Sequence, residues 1–549
     1  MTQARIIAEW VCGLKFSDIP QRVVEKAKYQ CLSVLAAVFP GSRSHAGEMI
    51  YKTIVNAAQP GPCTVIPFGS SATAEQAAFA HSAFSISYDF DDYLFMGHPC
   101  HSAVTVPLAL CQLMKLGGRE FILAQVIANE VEGRLGAAVL MGPHNGQAWS
   151  FIHAIGTACA AAKLMNLGPE KTENAIGIAL YQPNYLLFPG FMGPDTKLLT
   201  AGIPLSAGLL AARLASNGFS GPSEIIEDPQ GFLRHFSFIP FEGMLSGWGR
   251  SWVTDTLCFK PYPGCAYIDS TVDALLMIMK EFQDKNRRPL KPSDVKNIHV
   301  RTTLLTIGMD GLSKKQMKED KLTPVIVNFS IPLSVAITII AGKLTSKEMA
   351  RDFLDESRKE IVELSRKVSL SLDWGMSFGI AGSLMEAGIL KVISKGLSLR
   401  DLVRVRRRLR EGAGGELPLK PSSLIGLLLK LFTPEGRALR RIIAGALRSF
   451  ASFSRENYNL GDADFTRLSF PFSAEVTLHT ASGERFSFRQ DIPLGALGRP
   501  LEETKALVRE KFRREAGDFL GNKTEEVMNM VLEMESLKDI SPLVSACCP

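Results

Sequence analysis

Two textures divide the chain. From residue 1 to about 258, apolar residues recur at spacings of three and four, alanine is abundant, and Gly or Pro punctuates the segments, as amphipathic helices require. The stretches Ala158-Cys159-Ala160-Ala161-Ala162-Lys163-Leu164 and Ala207-Gly208-Leu209-Leu210-Ala211-Ala212-Arg213 are rich in small residues, which lets helices approach closely. After Lys260 the period shortens to two. Asn297 to Thr302, Val368 to Leu372, Ala474 to His479 and Arg485 to Arg489 alternate as strands do, and Ala481-Ser482-Gly483-Glu484 reads as a hairpin turn. Helical spacing returns from about Pro500. The pattern predicts a mainly α protein: a large all-helical domain over 1–258, a smaller α+β lid domain over 259–499, and C-terminal helices over 500–549 that rejoin the first domain. A segment at about 374–459 fits neither texture and reads as a basic helical insertion between two lid strands.

Composition refines this picture. At 549 residues and 46% hydrophobic content, the chain buries a large core and exceeds one compact unit. Its 10 cysteines form no CxxC pair, so they read as reduced thiols. Arg5 and Glu9 interrupt the N-terminal apolar positions, which argues against a leader and gives the expectation of a cytoplasmic protein. The longest apolar run, 325–342, contains Asn328, Ser330 and Pro332 and reads as a buried segment. Net charge is +6, yet thirteen Lys or Arg face only four acids between Lys395 and Arg448, so the rest of the chain is slightly acidic. A solvated helical face is the plainer reading of that segment. Weak contact of residues 395–450 with an anionic membrane surface or a protein partner is the alternative. Few aromatic residues interleave with the charges, so nucleic acid is not an expected partner.

Candidate chemistry concentrates in Asp89-Phe90-Asp91-Asp92-Tyr93-Leu94-Phe95-Met96-Gly97-His98-Pro99-Cys100-His101. Three carboxylates and two histidines so close together tune one another's proton affinity, as general acid–base work requires. Gly97 and Pro99 place the cluster on a loop feeding a helix from about Val104. The histidines are three apart with a proline between them, and no Cys or His set elsewhere completes a metal site, so a metal is not expected.

These residues, together with others in the same order, resemble the MmgE/PrpD family, which includes 2-methylcitrate dehydratase, cis-aconitate decarboxylase and iminodisuccinate epimerase. The matching motifs are the DFDD loop, the Ala-rich helix from Gly156, Thr196-Lys197 with Gly202, Lys260-Pro261-Tyr262-Pro263-Gly264-Cys265, Asn328-Phe329-Ser330-Ile331-Pro332, and Lys511-Phe512-Arg513. The resemblance implies a homodimer with its site between a helical domain and a lid, working without metal or cofactor on a small carboxylic acid. It carries catalytic roles over to Asp91, His101 or His98, Lys197 and Lys260, with Asp91 and His101 preferred on spacing. Substrate contacts carry over to Asp89, Asp92, Gln147, Tyr262, Cys265, Asp269 and Leu333.

Departures from the family pattern bear on the substrate. Gln147, Cys265 and Asp269 stand where relatives often carry histidine, and Leu333 where tyrosine is usual. Each lost hydrogen bond to a charged group costs about 1.5–3 kcal/mol. The resemblance with these changes implies proton abstraction alpha to a carboxylate, dehydratase-like, on an acid other than 2-methylcitrate and less charged. Trp149, Phe188, Phe191 and Leu333 are candidate apolar liners. A decarboxylase or epimerase of the same family is the alternative reaction, and a non-catalytic scaffold acting through the basic insertion is the alternative of a different class.

Overall fold

The computed structural model describes residues 1–55, 60–95, 97–142, 149–314, 321–394, 440 and 459–548. Its helical half is built around α1 (Gln21–Ser42), in which every residue from Ala27 onward is buried. A helix covered on all sides belongs at the centre of a bundle. A small hairpin, β1 (Cys63–Val65) with β2 (Ser70–Ala72), precedes α2 (Ala74–Ile86). Thr73 opens α2 with a capping box: its hydroxyl accepts from the Gln76 amide at 3.2 Å, and Gln76 Oε1 accepts from the Thr73 amide at 3.0 Å.

Next come β3 (Asp92–Tyr93), α3 (Cys100–Ala103), α4 (Gly118–Ala138), α5 (Ile152–Leu164) and α6 (Leu199–Ser216). Helix α5 packs against both α4 and α6. Small residues make this possible: a Cβ on Gly208 would lie 2.3 Å from the Ala154 carbonyl oxygen. Ala154, Ala158, Ala211 and Ala215 fill the seam.

Beyond β4 (Cys258–Phe259) and α7 (Asp269–Asn286), the four strands expected from the alternating pattern form one sheet. They are β5 (Val295–Thr302), β6 (Val368–Leu372), β7 (Ala474–Thr480) and β8 (Arg485–Gln490), in the order β6-β5-β7-β8. β5 runs parallel to β6 and antiparallel to β7, and β7 antiparallel to β8. Val476 sits opposite both Val300 and Phe488, and the apolar face packs on α7 and on α8 (Ile331–Ala341) through Ile278, Phe282 and Ile337. Helix α8 is the apolar run of the sequence, buried as expected.

The final long helix, α9 (Leu501–Leu520), lies along α1, with the Phe39 and Phe512 rings 6.2 Å apart. The excursion between β6 and β7 leaves and re-enters at one point, where the Asp464 amide donates to the Ala387 carbonyl at 3.0 Å. Most of that excursion, including the basic segment from Lys395 to Arg448 apart from Arg440, lies outside the described residues.

The 1–258 region departs from a purely helical reading in two places: the β1–β2 hairpin, and β3, which pairs antiparallel with β4. The second matters for the site. The Asp89–His101 stretch is not a free loop, because Asp92 faces Phe259 in a two-residue ladder and Cys100 to Ala103 is already helical. Period-two alternation cannot announce a strand only two residues long.

Gly495 holds this ladder from the other side. It has φ +78°, its carbonyl accepts the Phe259 amide at 2.9 Å, and a Cβ there would lie 2.0 Å from the Phe259 oxygen. Gly495→Ala is expected to displace β4 next to Lys260, costing about 1–3 kcal/mol of stability. Denaturant unfolding measures this, and an unchanged midpoint would contradict it.

Candidate active site

Helix α2 ends just before Asp89, which turns the chain with φ +52°. Gly264, with φ +118°, donates its amide to the carbonyls of Tyr88 (3.0 Å) and Asp89 (3.2 Å) and so clamps the turn to the segment after β4. The β3–β4 register then sets Lys260, one residue past Phe259, across from Asp91, one residue before Asp92.

The result is a buried chain of alternating charge. Lys260 Nζ donates to Asp91 Oδ1 at 2.6 Å, to Asp89 Oδ1 at 2.8 Å and to the Asp89 carbonyl at 2.9 Å. Lys197, on the short turn Asp195–Leu198, donates to Asp89 Oδ2 at 3.0 Å. All four side chains are almost wholly excluded from solvent. Burial opposes every one of these charges, and the partners decide the outcome. Around Lys260, Asp89 and Asp91 outweigh burial and hold the ammonium well above its usual range. Burial also raises the Asp91 carboxyl, but Lys260 and the two histidines drive it well below the usual carboxylate range. Lys197 donates to one carboxylate among the described residues, and burial outweighs the pull of Asp89 and Asp91 and leaves it lowered.

Both loop histidines meet Asp91 Oδ2. His98 Nδ1 lies at 2.5 Å and His101 Nε2 at 3.4 Å. The Ser85 hydroxyl donates to the Ser82 carbonyl, so its oxygen accepts His101 Nδ1–H at 2.8 Å, leaving Nε2 without a hydrogen-bond partner among the described residues. His101 is fully buried, and burial lowers its proton affinity. The His98 side chain is 17% exposed. With Nδ1–H committed to Asp91, its Nε2 is free to exchange a proton, which is how a carboxylate orients a general acid or base. The distances therefore favour His98, where spacing had preferred His101.

Residues 5–240 match the MmgE/PrpD N-terminal domain and residues 262–377 the MmgE/PrpD C-terminal domain. The chain belongs to the MmgE/PrpD family. It is 26% identical over 418 residues to the cis-aconitate decarboxylase of Aspergillus terreus, covering 72% of this chain and 84% of that protein. The cis-aconitate decarboxylase-like protein oryM of Aspergillus oryzae is 28% identical over 301 residues, 51% of this chain and 62% of that protein. The human cis-aconitate decarboxylase is 26% identical over 307 residues, 53% of this chain and 62% of that protein. As a member of this family the chain is an enzyme, and its relatives are lyases.

The remaining expected site residues of this MmgE/PrpD chain divide. Cys265 sits with Phe191, Met192 and Phe329 in a small apolar cluster, and burial pushes its thiol up to about 12. Lys197 Nζ lies 4.5 Å from the Phe329 ring centroid and 5.5 Å from that of Phe191. Tyr262 donates its hydroxyl to Asp273 Oδ1 at 2.8 Å. Asp269 is buried with Oδ1 unpartnered among the described residues, and burial with Asp273 nearby raises it well above the carboxylate range. Leu333 is fully buried in the aliphatic core between sheet and helices, so it lines packing, not a pocket. Trp149 packs under Gly97 and Gly136. Gln147 lies outside the described residues.

Asp91, Cys100 and His101 offer three donor atoms within 4.8 Å of one another. Their chemistry does not suit a metal ion: the Lys260 ammonium already holds Asp91, and burial keeps the Cys100 thiol protonated far above its usual range.

Several partners escaped sequence reasoning. Ser85 orients His101. Behind it, His153 Nδ1 lies 2.7 Å from Ser102 Oγ and 3.2 Å from Glu132 Oε2, with its ring 6.2 Å from that of His101. Gly156 was the available signal, since a Cβ there would lie 2.0 Å from Glu132 Oε1. Asp92 points to the far side of the loop, with neither carboxylate oxygen hydrogen-bonded among the described residues.

Burial, then the neighbouring Asp91 charge, pushes Asp92 up to about 7 against the pull of Lys511. An acid with a raised folded-state pKa keeps its proton where the unfolded chain releases it, so stability falls as pH rises from about 4 toward 7. Asp92→Asn is expected to be more stable than the parent at pH 8, on the order of 2–4 kcal/mol, with the gain shrinking toward pH 4. Urea unfolding across pH checks this. A difference that does not vary with pH would refute it.

Proposed function

We propose that this chain decarboxylates a small unsaturated carboxylic acid of the cis-aconitate type, without metal or cofactor. The observation that carries the reading is the Lys260–Asp91–His98 chain, which runs from a buried ammonium to a partly exposed imidazole. In such an acid a carboxymethyl group is attached to an alkene carbon. Loss of carbon dioxide breaks one C–C bond, its electron pair forms a new C=C bond, and the original π pair moves to the carbon alpha to a second carboxylate. That carbon takes the proton of His98 Nε2, which solvent restores. Asp91 stabilises the imidazolium before transfer, and the Lys197 ammonium stabilises the charge that gathers on the neighbouring carboxylate.

Two features favour decarboxylation over dehydration. Relatives along most of the chain are named cis-aconitate decarboxylase. The wall beside Lys197 is apolar, formed by Phe191, Met192 and Phe329, and a carboxylate stripped of water there loses carbon dioxide more readily than one in water. Charge also limits the substrate. Lys260 is consumed by Asp89 and Asp91, so Lys197 alone retains uncommitted N–H donors among the described lysines of the site. One anchoring cation suits an acid with two carboxylates better than one with three.

The assay is carbon dioxide release from cis-aconitate and from glutaconate in D2O. Carbon dioxide with one deuteron in the product is expected, with the higher kcat/KM on glutaconate. His98→Asn should lower kcat by roughly 10²–10⁴-fold. Turnover without carbon dioxide, or a fully active His98→Asn enzyme, would overturn the reading.

The enzyme is read as a homodimer. Tyr185, Leu187 and Ile203 line one cleft and are 51%, 67% and 47% exposed, a large apolar surface for a monomer. Ile203→Glu is expected to shift the protein toward monomer in sedimentation analysis, and a parent that is already monomeric would contradict this.

A further inference from the structure

The mechanism uses the upper side of the Asp89–Asp92 loop and leaves its underside unexplained. There Lys511, midway along α9, reaches across α1. Its Nζ donates to the Phe90 carbonyl at 2.6 Å and to Ser33 Oγ at 3.0 Å, and lies 4.1 Å from the Phe90 ring centroid. Phe90 is the residue between Asp89 and Asp91, so one ammonium holds both the carbonyl and the ring of the peptide that joins them. Asp89 is a non-glycine residue with φ +52°, a conformation that persists only where the surroundings impose it. Lys197 and Lys260 impose it from above through the side chain, and Lys511 from below through the backbone.

We infer that Lys511 is a positioning residue of the reaction: it fixes the Asp89–Asp91 spacing that Lys260 bridges, and supplies the positive charge beneath the loop. It touches no substrate, being covered by Phe90 and α1 and 1% exposed. The charged groups around it are Asp92, Asp91 and Glu515, which favour its charge, and Arg514, which opposes it. Burial nevertheless pushes Lys511 down to about 8, so this charge is present at neutral pH and is lost as the medium becomes alkaline. Asp91 is also the carboxylate that faces His101, whose other charged neighbours are His153 and His98. The Lys511 charge sits beside the loop that carries Asp91 and both histidines, so removing it favours the protonated imidazole by direct Coulombic interaction.

The inference rests on the proposed catalytic role of this loop, and the test separates the two. Lys511→Met keeps the length of the side chain and removes the ammonium. Its kcat on the acid turned over, cis-aconitate or glutaconate, should fall at least about tenfold with KM within about threefold, because misplacing catalytic groups affects the step more than binding. Independently of any substrate, the NMR titration of His101 should move upward by roughly half a pH unit once a nearby cation is gone. Wild-type kcat with an unmoved His101 titration overturns the inference. Should Lys511→Met fail to fold, Ser33→Ala removes one of the two acceptors of the same ammonium. A severalfold fall in kcat at constant KM then supports the role, and wild-type kcat overturns it. If His98→Asn is inactive while Lys511→Met is fully active, only the Lys511 inference falls. If His98→Asn is active, the reading of the site falls, and the His101 titration still decides for Lys511.

Discussion

An ammonium enclosed between two carboxylates and buried away from bulk solvent sets the conditions for everything around it. Lys260 makes three hydrogen bonds to Asp89 and Asp91 at 2.6–2.9 Å. Desolvating such ions costs several kcal/mol each, and only close geometry with every donor satisfied repays it. The neighbouring structure can be read as what this requires. The β3–β4 ladder sets the register, Gly264 and Gly495 let backbone approach where a side chain would not fit, and Lys197 balances the second oxygen of Asp89.

The same constraint divides the carboxyls of one loop into two kinds. Asp91, met by Lys260 and both histidines, is held as the anion, whereas Asp92, one residue on and facing away, has no hydrogen-bonding partner among the described residues and is pushed up to about 7 by burial and the Asp91 charge. The chain is extended where β3 begins, and adjacent residues of an extended chain point to opposite sides, which separates Asp91 from Asp92. Exposure follows the same axis: Lys260 and Asp91 are sealed, and His98 at the end of the chain reaches solvent. The ion pairs lie inside, and the imidazole of His98 lies at the rim.

Family membership gives this geometry its chemical class, while the substitutions within it shape the reading of substrate. Cys265 joins an apolar cluster, Asp269 is a buried acid whose proton affinity burial and the nearby Asp273 raise, and Leu333 is core. None of the three presents a positive charge. Among the described lysines of the site, Lys197, hydrogen-bonded to one carboxylate and flanked by two aromatic rings, is the one with donors to spare. The proposed preference for fewer carboxylates follows from that count.

Much of the architecture was legible before any coordinates. Period-two alternation located all four strands of the main sheet within a residue or two, and three-to-four spacing with small residues located α5 and α6, because burial on one face leaves its period in the sequence. The DFDD loop, both histidines, Lys197 and Lys260 were singled out from residue type and motif, and they do come together. What only the tertiary structure decided was pairing across distance. Lys260 lies 169 positions from Asp91, and Lys511 is separated from Phe90 by 421. It also decided that Ser85 orients His101, that His98 lies nearer Asp91 than His101 does, and that Leu333 and Tyr262 are occupied elsewhere. Residue type fixes what a side chain can do with a proton. Its charge state and its access to substrate depend on burial and on partners brought from elsewhere in the chain, and local sequence carries no record of those.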